Sequence, residues 1–116
     1  MLNSYKELLV WQKAIVLVEE IYKIGFPKEE LYGLSSQMRR ASVSIPSNIA
    51  EGQQRKSRKE FTQFLRMAFG SSAERDTQII IAKKLYPGLD FSKAETILEE
   101  VGKMLNAIIR KLEAKN

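Results

Sequence analysis

The chain is 116 residues long, 44% hydrophobic, and carries a net charge of +5 from 19 basic and 14 acidic side chains, which is the size of one domain able to bury a substantial core. Cysteine and histidine are both absent, and this excludes disulfides, thiolate nucleophiles, Cys/His zinc sites, His-ligated haem and imidazole acid–base pairs. No apolar run approaches the ~20 residues of a membrane span and the opening MLNSYKELLVWQ lacks the plan of a signal peptide, so the expected setting is soluble and cytoplasmic, without membrane contact.

The first predicted helix covers residues 5–24. Ser4-x-x-Glu7 is a capping-box pattern, Leu8, Trp11, Ile15, Val18 and Tyr22 repeat at three and four residues, and Gly25 with Phe26-Pro27 stops the segment. A short turn over 28–32, closed by Gly33, precedes a second helix over 34–53, with the stripe Leu34, Met38, Ala41, Ile45 and Ile49. Pro46 lies inside that stripe, removing one backbone donor and crowding the carbonyl four residues earlier. A kinked continuous helix is therefore the favoured form, with Ser42, Ser44 and Ser47 placed to satisfy freed carbonyls; a fresh helix starting at Pro46 is the alternative.

Ser57-x-x-Glu60 opens the third helix, over 57–86, marked by Phe61, Phe64, Leu65, Ala68, Ile79, Ala82 and Tyr86. Its middle is small or polar at Gly70, Ser71, Ser72, Glu74, Arg75 and Asp76, which predicts a buried network or a close helix contact. Ser92-x-x-Glu95 opens the fourth helix, over 91–114, where Ala94, Leu98, Val101, Leu105, Ile108 and Leu112 step four, three, four, three, four. No segment sustains period-two alternation. The prediction is a single all-α domain over 1–116, an antiparallel up-down-up-down four-helix bundle with its second helix kinked at Pro46.

Two runs, Ala14-Ile15-Val16-Leu17-Val18 and Ile79-Ile80-Ile81-Ala82, are apolar around nearly their whole circumference. One bundle core can take only one face of each. A second copy of the chain is the economical cover, and a few tolerated surface aliphatics are the alternative.

The charge excess lies wholly between residues 27 and 86, because 1–26 and 87–116 each balance. It is densest at Arg55, Lys56, Arg58 and Lys59, with Arg39, Arg40 and Arg66 on flanking segments. Together these seven are the candidate phosphate contacts, each able to release counterions on binding; a solvated helix end is the other use of such a cluster. Arg39 and Arg40 point about 100° apart on a helix, so one of them is expected inside and paired with a carboxylate. Asn48, Glu51 and Glu74 are assigned to a structural polar network: di-iron bundles need Glu-x-x-His pairs, and the spacing supports no magnesium site. Trp11, Tyr22, Tyr32, Phe61 and Phe64 fit core or subunit packing better than base stacking. No serine has a histidine to activate it, no Ser-x-x-Lys occurs and no glycine-rich phosphate loop is present, so the reading is non-enzymatic with no cofactor.

Several strings combine in order: Leu9-Val10-Trp11-Gln12-Lys13-Ala14, Tyr32-Gly33-Leu34, Gln37-x-Arg39-Arg40-Ala41, Ser44-Ile45-Pro46-Ser47-Asn48-Ile49-Ala50-Glu51-Gly52, and Phe64-Leu65 before Gly70-Ser71 and Glu74. Across nearly its whole length the chain resembles the four-helix-bundle proteins encoded in intervening sequences of bacterial 23S rRNA genes. Similar proteins serve as the accessory variability determinant of diversity-generating retroelements. The resemblance implies a bundle that assembles into a ring, with a homopentamer as the expected state. For the retroelement branch it also implies a basic barrel that binds nucleic acid and a reverse transcriptase. The functional expectation is an oligomeric accessory or scaffold that binds RNA or DNA through its basic patch; the alternative is a protein-interaction module for a reverse transcriptase or another acidic protein.

Overall fold

The computed structural model describes residues 4–28 and 33–114. A 3-10 turn at Tyr5–Glu7 leads into α1 (Leu9–Lys23), followed by α2 (Leu34–Ser42), α3 (Ser44–Gln54), α4 (Arg58–Leu85) and α5 (Ser92–Ala114). The predicted turn over 28–32 lies almost entirely outside the described residues. Helices α2 and α3 are separated by Val43 alone, which keeps right-handed helical dihedrals (φ −64°, ψ −25°). They form one column, so the five helices make a bundle of four columns.

The predicted second helix is thus interrupted at Val43, and Pro46 is the third residue of α3. The first turn of a helix has backbone N–H groups without intrahelical partners, so a residue lacking that N–H fits there at little cost. Serine hydroxyls work around the interruption: Ser42 Oγ donates to the Arg39 carbonyl and Ser44 Oγ to the Ala41 carbonyl, both at 2.7 Å.

Column α1 packs on α2, α3 and α5, and column α4 packs on the same three helices, while the backbones of α1 and α4 stay apart across the core. They occupy opposite corners. Lys83 pairs with Glu95 and Arg66 with Glu113, so α4 and α5 run in opposite directions. Lys13 pairs with Glu100, whereas Glu20 and Lys23 lie beside Asp90 and Lys93, so α1 also runs against α5.

The core follows heptad spacing with departures from the predicted stripes, and of the residues predicted for the second and third helices Leu34, Ala41, Phe61, Phe64 and Tyr86 are only half-buried. In α5, Ala94, Leu98, Val101 and Leu105 are buried as expected, and the seam then passes to Ile109 instead of Ile108. In α1 the buried stripe is Val10, Ala14, Leu17 and Ile21. The predicted Leu8 and Trp11 are half-buried beside the core, and Tyr22 is exposed. Both stripes have helical period, since α1 is apolar on most of its circumference; the positions of α2, α3 and α5 decide which one is covered.

Two predicted caps also change. Ser4 Oγ accepts from the Lys6 N–H at 3.1 Å and so caps the 3-10 turn instead of the α-helix. At α5, Asp90 replaces the expected Ser92–Glu95 box, accepting the Ser92 hydroxyl at 2.7 Å and its N–H at 2.9 Å. These two bonds, the hydroxyl's first, hold the Asp90 carboxyl below the usual carboxylate range.

The tightest helix contact joins α3 to α4. A Cβ added at Gly52 would lie 2.6 Å from Cβ of Phe64, so any larger residue must push the two backbones apart. Gly70, within α4, has nothing within 4 Å of that position. Gly52→Ala should therefore destabilise the fold by about 1–3 kcal/mol through overpacking, while Gly70→Ala should stabilise it by up to about 1 kcal/mol through helix propensity, both read by urea unfolding. The Asp90 carboxyl should titrate below ordinary carboxylates by NMR, and Ser92→Ala should raise it. Because its folded-state pKa is depressed, its contribution to stability is present above the ordinary carboxylate pKa and is lost as pH falls through the lowered one.

Candidate nucleic-acid interface

Residues 55–59 form a tight corner between α3 and α4. Arg55 ends α3 in extended conformation, Ser57 is extended as well, and Ser57 Oγ accepts from the Glu60 N–H at 3.0 Å to start α4. The close seat of Gly52 on Phe64 and Phe61 fixes where this corner stands. Arg55, Lys56, Arg58 and Lys59 are all exposed on it.

The four cations differ in freedom. Arg55 pairs with Glu51 at 3.0 Å and lies over the Phe64 ring, 5.1 Å from its centroid. That combination holds the guanidinium against the protein while leaving its outer edge in solvent. Lys56 and Lys59 make no ion pair among the described residues. Arg66 follows two turns along α4 and is paired with Glu113 near the end of α5.

This last pair brings in residues that the sequence tally missed. The end of α5 reaches the basic end of the bundle, adding the exposed Arg110 and Lys111. Counting charge over 87–116 hid them, because Asp90, Glu95, Glu99 and Glu100, earlier in the same span, offset them. The signal was present as a gradient along the helix, and an average removed it.

Arg39 and Arg40 belong elsewhere. They lie on α2, beside the C-terminal end of α1, and the fifteen residues of helix from Arg40 to Arg55 correspond to roughly 22 Å. Arg39 is half-buried: one terminal nitrogen donates to the Ile24 carbonyl at 3.1 Å, and the guanidinium sits 5.7 Å from the centroid of the Tyr22 ring. Its Nε is buried without a hydrogen-bond partner. A carbonyl at a helix end, rather than the expected carboxylate, receives it. Arg40 is exposed.

The buried polar network is centred on Arg75. Its side chain is only 3% exposed, and it donates to Ser71 Oγ at 3.0 Å and to Gln78 Oε1 at 2.6 Å. Ser71 in turn bonds Ser44 of α3. Burial lowers the pKa of Arg75, opposed by the nearby Glu74 carboxylate. The residues assigned to this network divide differently: Asn48 donates to the Ser44 carbonyl at 2.8 Å, Glu51 pairs with Arg55, and the Glu74 side chain is 73% exposed. Glu74 touches the network from its solvent side, 3.8 Å from the Arg75 guanidinium.

Trp11, Phe61 and Phe64 are committed to packing contacts, while Tyr22 and Phe69 are 48% and 40% exposed. Trp11 meets Tyr5 edge to face at 5.3 Å, Phe61 is packed against the core, and Phe64 lies beneath Arg55; Tyr32 lies outside the described residues. Among the described residues no group of three or more carboxylates converges as metal ligands, and no helix is long and apolar enough to cross a membrane.

Residues 6–107 match the family model of the 23S rRNA-intervening sequence proteins. No curated protein matches the chain.

Arg75→Ala should cost about 2–4 kcal/mol in chemical unfolding, since it removes a buried side chain and its hydrogen bonds together. Glu74→Gln, a change at the surface, should stay within about 0.5 kcal/mol of the parent protein.

Proposed function

We propose that this chain, which belongs to the 23S rRNA-intervening sequence protein family, is a non-enzymatic nucleic-acid-binding protein, with structured RNA as its first ligand and an accessory or scaffold role in a ribonucleoprotein. One observation carries the reading. Arg55, Lys56, Arg58 and Lys59 crowd one corner of the bundle, and Arg66, Arg110 and Lys111 continue the exposed positive charge along the same half, against Glu51, Glu60 and Glu113.

Lysine and arginine on a convex corner suit phosphates, which lie on the outside of any helical nucleic acid. Trp11 and Phe64 are engaged within the protein and the corner itself presents cations, so backbone charge outweighs base reading. Recognition is by backbone charge and shape. Each single patch binds weakly, and self-association, in the homopentamer that the family resemblance implies, multiplies its contacts by avidity. Arg39 has no part in this surface, being held against Ile24 and Tyr22.

The test is fluorescence anisotropy with labelled structured RNA and duplex DNA at two or more salt concentrations. Binding should weaken steeply with salt. The pair Lys56→Ala and Lys59→Ala should lower the salt slope by about two, one for each lost phosphate contact. Reversing all of Arg55, Lys56, Arg58 and Lys59 to glutamate should abolish binding with the helical circular-dichroism spectrum intact. Failure of the parent protein to bind either nucleic acid at low salt would overturn the proposal in favour of an acidic protein partner, such as a reverse transcriptase.

A further inference from the structure

The basic corner holds one residue that is not a cation. Ser57 stands in the middle of Arg55-Lys56-Ser57-Arg58-Lys59, with two positive side chains on each side of it. It is exposed, and its backbone is extended (φ −128°, ψ 141°), as is that of Arg55 two residues earlier (φ −72°, ψ 148°). Other serines lack this combination. Ser44 and Ser71 are enclosed in the α3–α4 seam, Ser47 lies within α3, and Ser92 donates its hydroxyl to the Asp90 carboxylate. The Ser57 oxygen accepts from the Glu60 N–H at 3.0 Å and so uses only one of its two lone pairs.

An enzyme that phosphorylates a hydroxyl takes the acceptor on an extended, exposed segment. Cations just before the acceptor are the feature that an acidic substrate groove selects, because opposite charges steer and hold the encounter. Arg55 and Lys56 supply them. We propose that Ser57 is a phosphorylation site and that its phosphate closes the basic corner to nucleic acid. In the transfer, Ser57 Oγ bonds to the γ-phosphorus of a nucleoside triphosphate while the bond from that phosphorus to its bridging oxygen breaks. The nucleoside diphosphate leaves, and the hydroxyl proton passes to a carboxylate of the modifying kinase.

The consequence at the corner is electrostatic. Phosphoserine carries about two negative charges at neutral pH and three strong acceptor oxygens, so the four cations of residues 55–59 keep a net charge of about two. The added group has the chemistry of the ligand that these cations would hold, but it is tethered among them and competes as an intramolecular ligand. Arg55 is already shared with Glu51, which leaves less charge still for a polyanion. The fold tolerates the change, since a phosphate oxygen can accept the Glu60 N–H in place of the hydroxyl and negative charge is favoured at the start of a helix. The switch rests on the nucleic-acid reading above and adds its regulation.

The test compares the parent chain with the full chain phosphorylated at Ser57, prepared by genetically encoded phosphoserine, and with Ser57→Asn and Ser57→Asp. Asparagine and aspartate cap a helix about as well as serine does and differ from each other in charge. In fluorescence anisotropy with labelled structured RNA, the phosphoprotein should bind roughly tenfold or more weakly than the parent at about 100 mM salt, with the salt slope lower by about two. Ser57→Asp should show a slope lower by about one than Ser57→Asn. Phosphatase treatment should return the phosphoprotein to the parent affinity, and circular dichroism should show equal helix content throughout. A protein kinase that prefers arginine and lysine before its acceptor, supplied with ATP, should modify the parent at Ser57, read by mass spectrometry of its peptides, and should leave the corner of Ser57→Asn unmodified. A parent that binds RNA while its phosphoprotein binds equally well overturns the switch and leaves the nucleic-acid reading standing. No modification at Ser57 by that kinase overturns its assignment as the acceptor. A parent that binds neither RNA nor duplex DNA overturns the nucleic-acid reading and the switch together.

Discussion

The contact of Gly52 with Phe64 is the constraint on which the rest of the molecule depends. With a Cβ position only 2.6 Å from the Phe64 Cβ, α3 and α4 are held closer than ordinary side chains permit, and the chain must reverse within a few residues. Those few residues are the cationic ones. At the far end of the same seam, Ser44, Ser71 and Arg75 join α3 to α4 by hydrogen bonds instead of apolar packing. A buried guanidinium tolerates few positions, because its donors must all be met away from water. The hairpin is thus fixed in spacing at one end and in register at the other.

Cations in this protein divide by how much of their charge the fold itself consumes. Arg75 is enclosed, and its charge serves the α3–α4 seam. Arg39 is partly enclosed and closes the end of α1 through the Ile24 carbonyl. Arg55 and Arg66 are tethered at the surface by Glu51 and Glu113, and such exposed pairs are weak enough to exchange for a phosphate. Lys56, Lys59, Arg110 and Lys111 stand free of ion pairs among the described residues.

Apolar surface divides in the same way. Each of α1 and α4 carries one stripe into the core and another outward, and the diagonal placement of the two helices sends the outward stripes to opposite sides. The basic corner lies at the end of the bundle and not on either stripe.

Much of this was readable from the residues alone. Helical periodicity, capping residues and sparse glycine and proline established an all-helical chain with nearly correct boundaries, and Met38, Ile45, Ile49, Leu65, Ile79 and most of the α5 seam were identified as core, because each has polar neighbours that leave one apolar side. The cluster at 55–59 was visible because its charges are adjacent in sequence. What required the tertiary structure was every choice among equals. The α1 run offers two apolar stripes, and only the positions of its neighbours select Val10, Ala14, Leu17 and Ile21. Arg39, Arg40 and Arg75 look alike in sequence, yet one closes a helix end, one faces solvent and one is buried. Arg110 and Lys111 joined the basic end because α5 returns to lie against α4. Periodicity fixes which residues share a side of a helix; only packing fixes which way that side turns, because burial is a property of the neighbours and not of the helix.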